Sequence, residues 1–315
     1  MEDVIYLPDG GQRTLGNFGE QPKEYTPDIA KAIYPRNWGS YTLARQKEKP
    51  LALEILSEAI RILNVKTYGK NTGRPPFPLS DKLFLCVQKV LRATTYDANE
   101  EHIEFSKLKN YITSKPRPHS VSDFMNDPQL TPLLEQLIVL TSTPMVDFEK
   151  RFAVDATGLS TFDKSRWVKV RLEHHQHRAY KKLHTIVGTS SNIIVAAKVT
   201  IGTQHDSPML NPLLELISKY FKVKEVSGDG AYCSRENAQD VEDMGAVPYF
   251  KIRKDVDALA KGHYPAWNKM VHRFWDNKDK YNKHYHFRSN VESTYSMFKR
   301  KISEYVRSKT DTAKV

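Results

Sequence analysis

Three carboxylates set the chemistry this sequence could perform: Asp155 in FAVDATG, Asp229 in SGDGAY and Glu292 in RSNVEST. Singly, each has an ordinary explanation. An aspartate at a strand end usually serves a turn or a cap, and Gly-Asp-Gly is often just a tight turn. A glutamate between basic residues on a helix usually makes surface ion pairs worth well under ~1 kcal/mol. On two strands and one helix, however, the three together would suit phosphodiester chemistry. That chemistry needs a reactive oxygen and a stabilised leaving oxygen at a highly charged phosphorus, and two divalent cations roughly 3.5–4 Å apart supply both. Mg²⁺ takes oxygen ligands in octahedral geometry and keeps several waters. Holding two such ions close together takes carboxylates from separate, rigid segments.

The glutamate comes with company. In YHFRSNVESTYSMFK (285–299), Tyr285, Arg288, Glu292 and Lys299 follow one another at Y-x2-R-x3-E-x6-K spacing. On a helix advancing about 100° per residue they share a stripe roughly 60° wide. Phe287, Val291, Phe298 and Ile302 form a separate apolar stripe. Such a helix has one face to bury and another that sets an acid between two bases, which could meet phosphates.

The elements that must position these residues are legible in outline. Phe152 and Val154 alternate as in a strand that runs into Asp155. Residues 181–202 read as a hairpin around Ser-Ser-Asn. Residues 207–221 read as an amphipathic helix, 223–232 as a short strand ending at Asp229, 234–245 as a helix closed by Gly245, and 246–252 as a further strand. A basic linker, 253–283, leads to the final helix. This order is mixed α/β. Upstream, 49–145 reads as a mainly helical domain for DNA binding or dimerisation, with helices over 51–63 and 79–96 (Ser80 as N-cap) and two short helices within 120–142. Residues 1–48, rich in Gly, Pro and polar residues, read as an extended arm. The remaining segment, 146–315, holds all three carboxylates.

Composition narrows the partner. The 315-residue chain carries a net charge of +11, and residues 251–315 alone hold 16 basic against 7 acidic side chains. A basic excess gathered at one end points to a polyanion, most often nucleic acid. Cys86 and Cys233 lie far apart with no CxxC, which disfavours a disulfide framework or a cysteine zinc site and suits a reduced, intracellular protein. No apolar run approaches a membrane span, and the acidic N-terminus is unlike a signal peptide. The histidines of EHHQHR (173–178) are too close in sequence for a usual tetrahedral set and read as a solvated loop. Cys233 reads as a packing residue, and Trp167, Trp267 and Trp275 read as core.

The segments AVDATGLS, KLHTIVG, HDSP, SGDGAYCS and YHFRSNVESTYSMFKRK resemble the catalytic core of bacterial and archaeal insertion-sequence DDE transposases over roughly residues 150–309, with the Y-x2-R-x3-E-x6-K spacing matched at every offset. The resemblance implies an RNase H-like mixed sheet flanked by helices over 146–315, preceded by the helical region. It implies that Asp155, Asp229 and Glu292 are catalytic and bind two Mg²⁺ ions, with Mn²⁺ as a substitute. Arg288 and Lys299 would contact DNA phosphates, and Tyr285 would hydrogen-bond or stack at the DNA end. The implied activity is metal-dependent hydrolysis at transposon ends, followed by attack of the 3′-OH on target DNA. The partners would be double-stranded DNA, as terminal inverted repeats and target, and a second copy of the chain. The location would be cytoplasmic and nucleoid-associated. The alternatives are a structure-specific nuclease on the same fold, or a truncated DNA-binding derivative without catalysis. Members of this family usually continue with another apolar helix, so the resemblance also implies a shortened or interrupted copy.

Overall fold

A computed structural model describes residues 4–6, 12–14, 37–67, 75–95, 97–161, 180–252, 264–306, 308, 310 and 312–314. Two compact units result, Met1–Glu48 and Lys49–Val315. In the first, β1 (Val4–Tyr6) and β2 (Gln12–Thr14) form an antiparallel pair in which Val4 faces Thr14. The helix α1 (Trp38–Leu63) begins well before residue 51, inside the stretch read as an extended arm.

In the second unit, α1 buries Leu53, Leu56, Ala59 and Ile60 against α2 (Leu79–Arg92), α3 (Glu100–Leu108), α4 (Pro118–Phe124) and α5 (Leu130–Ser142). Leu83, Phe84, Leu85, Val121 and Leu137 complete this helical core. Ser80 is not the N-cap of α2: Pro78 holds that position without a side-chain cap, and Ser80 lies within the first turn. One buried acid ties the region together. Asp81, 2% exposed, accepts hydrogen bonds from the backbone N–H and hydroxyl groups of both Thr113 and Ser114 at 2.7–3.1 Å.

The sheet follows. Its strands are β3 (Arg151–Thr161), β4 (Tyr180–Gly188), β5 (Ile194–Ile201), β6 (Glu225–Gly228) and β7 (Val247–Phe250), in spatial order β5-β4-β3-β6-β7. The strand β4 is antiparallel to both β3 and β5, whereas β3, β6 and β7 run parallel. The expected RNase H-like mixed sheet is thus present, flanked by helices. The short β8 (Tyr305–Val306) returns to pair with Ser160 and Thr161 at the far end of β3.

Side chains alternate across β3, and the alternation decides what the site can reach. Phe152 and Val154 enter the main core with α6 (Leu210–Ser218), α7 (Arg235–Asp243) and α8 (Pro265–Asp276), through Leu213, Leu214, Ile217, Val241, Trp267 and Met270. Ala153 takes the opposite face, packed with Val187 against Val291 and Tyr295 of α10 (Ser289–Lys301). Between α8 and α10 runs α9 (Lys278–Tyr285), N-capped by Asn277, whose side-chain oxygen accepts from the Lys280 N–H at 2.8 Å. The stretch read as a basic linker therefore contains two helices. Gly245 closes α7 at φ +76°, the left-handed conformation expected of it.

Candidate active site

Asp155 follows Ala153 by one strand period, so it lies on the α10 face of β3. The parallel register of β3 and β6 ends with Val154 opposite Gly228, so Asp229 leaves β6 just where β3 reaches Asp155. The glycine is required there: a Cβ at Gly228 would stand 2.9 Å from Val154 Cγ1 and 3.1 Å from Phe250 Cδ1. Asp229 then turns the chain, its Oδ1 accepting from the Ala231 N–H at 2.8 Å.

Glu292 arrives on α10. That helix is anchored at several points along its length: Asn290 donates to the Thr189 carbonyl at 2.6 Å, and Val291 is fully buried. The Tyr295 hydroxyl donates to the Asp155 carbonyl at 2.6 Å and shares a 2.8 Å hydrogen bond with Thr185, the cross-strand partner of Asp155. The final helix is not continuous. Tyr285 ends α9, residues 286–288 form a 3₁₀ turn, and Arg288 precedes the first residue of α10. The uniform stripe expected for 285–302 is broken accordingly, and Ile302 is exposed rather than buried.

Arg288 joins the two carboxylates. Its Nη2 donates to Asp155 Oδ2 at 2.9 Å, and its Nη1 lies 3.2 Å from Glu292 Oε1. Asp155 is 14% exposed, Arg288 23% and Glu292 63%. Burial pushes the Asp155 carboxyl above its ordinary range, and the charge of Asp229 adds to this. The Ala156 N–H and Arg288 oppose the rise without cancelling it. Burial works against the Arg288 charge, but Asp155, Tyr285 and Glu292 outweigh it and hold the guanidinium more firmly protonated. Its Nε is buried without a hydrogen-bond partner.

The other two expected residues stand further out. Lys299 lies two turns beyond Glu292 on α10, half-buried, with no ion pair among the described residues. Tyr285 packs against the main core, its ring 5.6 Å from that of His286. Trp267 is core, as expected, but Trp275 is exposed. Trp167 and EHHQHR lie outside the described residues.

Several neighbours lie outside the three acids and the Tyr-Arg-Glu-Lys spacing. Tyr295 and Thr185 orient the Asp155 backbone. His184, fully buried, contacts Thr200 Oγ1 at 2.8 Å through Nε2 and stands 3.5 Å from Asp206 through Nδ1, while Lys182 bridges to Asp206 at 3.0 Å. Tyr232 is completely buried with its hydroxyl unpartnered. Burial, then the charges of Asp206, Tyr295, Asp155 and Asp229, push its phenol well up. Strand alternation alone marks Thr185 and His184 as inward or outward positions; their polar pairing depends on packing.

The donor set suits a hard divalent cation. Asp155 and Asp229 offer oxygen donors whose charges act on each other, and a divalent cation would offset that repulsion. Among the described residues, no group of three His, Cys, Asp or Glu stands ready to hold a metal ion. Arg288 stands between Asp155 and Glu292, paired with both.

This is an α/β protein with an RNase H-like mixed sheet, in which Arg288 links Asp155 of the central strand to Glu292 of a late helix. A family model described as "Transposase DDE domain" matches residues 147–311, slightly more than half of the chain. The chain belongs to that DDE transposase domain family. Among solved structures it is similar to the piggyBac transposase in a synaptic complex with hairpin DNA, at 10% identity and a TM-score of 0.35, covering 83% of this chain and 67% of that one. It is also similar to a chain of the pre-cleavage Mos1 transpososome, at 8% identity and a TM-score of 0.24, covering 78% and 84% respectively. No helix among the described residues is long and apolar enough to cross a membrane.

Proposed function

We propose that this protein is a DNA transposase that cuts DNA at transposon ends by metal-dependent hydrolysis and joins the freed 3′-OH to target DNA. The observation that carries the reading is the bridge from Asp155 through Arg288 to Glu292, with Asp229 just past the end of the next strand, inside a transposase-family domain. Asp155, Asp229 and Glu292 would hold two Mg²⁺ ions, or Mn²⁺ in their place. Bound there, the ions would activate water and stabilise the leaving oxygen. Arg288 would exchange its carboxylate partners for a DNA phosphate, which its planar fork fits in the same way. Lys299 would take a further phosphate along the strand, and Tyr285 would border the DNA end. Two ends must be held together, so the active complex would contain at least two copies. The setting would be cytoplasmic and nucleoid-associated.

The test uses a labelled duplex bearing the inverted repeats that flank the coding sequence, incubated with Mg²⁺ or Mn²⁺ and a target plasmid. Wild type should nick the repeat end and yield joined product, and Asp155→Asn should lose more than about 100-fold of both. Cleavage without joining on a matched end would favour a structure-specific nuclease. Binding without any metal-dependent cleavage that Asp155→Asn removes would reduce the protein to a DNA binder.

A further inference from the structure

Between α8 and α9 lies a cleft of about 450 Å³ that takes no part in the chemistry above. Its walls present Lys269, His272, Arg273, Lys280 and His284 against a single acid, Asp276. The backing is aromatic. Tyr249 stacks on His284 with ring centres 4.7 Å apart and planes 10° from parallel, and the Arg273 guanidinium sits 5.8 Å from the Tyr249 ring centre. The Tyr281 hydroxyl is spent on the Phe250 carbonyl at 2.8 Å.

The cations differ in what holds them. Lys269 is paired with Glu242, and His284 Nδ1 meets Glu225 at 2.8 Å. Arg273 Nη1 is buried with no hydrogen-bond partner, and Lys280 makes no ion pair among the described residues. A buried N–H lacking an acceptor is costly, and more so on a charged group. The cleft therefore asks for an anionic oxygen brought from outside. A phosphodiester offers two unbridged oxygens to the guanidinium fork. The place of the cleft favours a DNA strand as the source. The helix α9 runs directly into the 3₁₀ turn that carries Arg288, so the cleft and that guanidinium lie on consecutive elements.

We propose that this cleft grips the DNA backbone apart from the phosphate met by Arg288, with Arg273 and Lys280 as the gripping residues. The proposal rests on the transposase reading for the partner, but its test does not depend on cleavage. Fluorescence anisotropy of an end-repeat duplex would be followed from 50 to 300 mM salt. Arg273→Gln combined with Lys280→Gln should weaken binding at least tenfold and lower the slope of log K against log salt by about 2. Arg273→Lys should keep the slope while losing affinity, because the charge stays and the fork goes. A control, Lys219→Gln with Lys222→Gln, removes two charges elsewhere and should leave the slope nearly intact. Equal slopes for wild type and the cleft variant, or an equal loss in the control, would overturn the proposal. So would an absence of DNA binding by wild type, or a stabilisation of wild type by millimolar inorganic phosphate that fully displaces DNA, which would make the cleft a simple anion site. If wild type never cleaves yet shows the slope loss, the cleft stands and the transposase reading falls.

Discussion

Asp155 answers to three neighbours at once: a guanidinium on its carboxylate, a phenol on its carbonyl and a second aspartate one strand away. Arg288 holds its Oδ2 at 2.9 Å, so on the proposed reading the guanidinium and a divalent cation would compete for the same carboxylate. In DNA-free protein, Arg288→Gln should therefore bind Mn²⁺ more tightly than wild type, by roughly the 10–100-fold typical of changes beside a metal ligand. Electron paramagnetic resonance of free Mn²⁺ reads this directly, and equal affinities would refute the competition. His184 makes a different prediction. Burial first, and Lys182 after it, hold the imidazole below its ordinary value against the opposing pull of Asp206. The unfolded chain then takes up a proton below about pH 6.5 that the folded chain refuses, so stability falls as pH drops through that range and is kept above it. Urea unfolding should show this loss between pH 7.5 and 5.5, and His184→Gln should flatten it.

At the scale of elements, the site depends on how α10 is seated. Tyr295 links that helix to both β3 and β4 at the level of Asp155. Tyr295→Phe should cost about 1–3 kcal/mol in chemical denaturation, because the Asp155 carbonyl loses its phenol donor and the Thr185 hydroxyl its partner. A near-zero change would mean that the phenol is incidental. Asp81→Ala should cost more, about 3 kcal/mol or above, since four donors from Thr113 and Ser114 lose one acceptor. Much of this layer was readable beforehand. Period-two apolar residues located β3, and glycine punctuation located Asp229 and the end of α7. The helices α8 and α9 escaped because the basic residues of 253–283 obscured their apolar spacing, and α9 buries only Tyr281. The 3₁₀ turn at 286–288 escaped because spacing alone assumes one uninterrupted helix. The Arg288 bridge escaped as well, since a contact between residues 133 positions apart leaves no local pattern.

For the whole molecule, charge and topology act together. The basic excess of residues 251–315 is carried by the elements that also present Arg288, Glu292 and the α8–α9 cleft. If two DNA ends must meet, analytical ultracentrifugation with a repeat duplex should show two protein copies sedimenting with two duplexes, and a purely monomeric complex would count against pairing. The return of β8 to β3 has a mechanical consequence. The helix bearing Glu292 is tethered at one end through Arg288 to Asp155 and at the other through β8 to Ser160, both on a single strand. On the proposed reading DNA draws Arg288 off Asp155, and the β8 pairing then remains to keep the far end of the helix on the same strand.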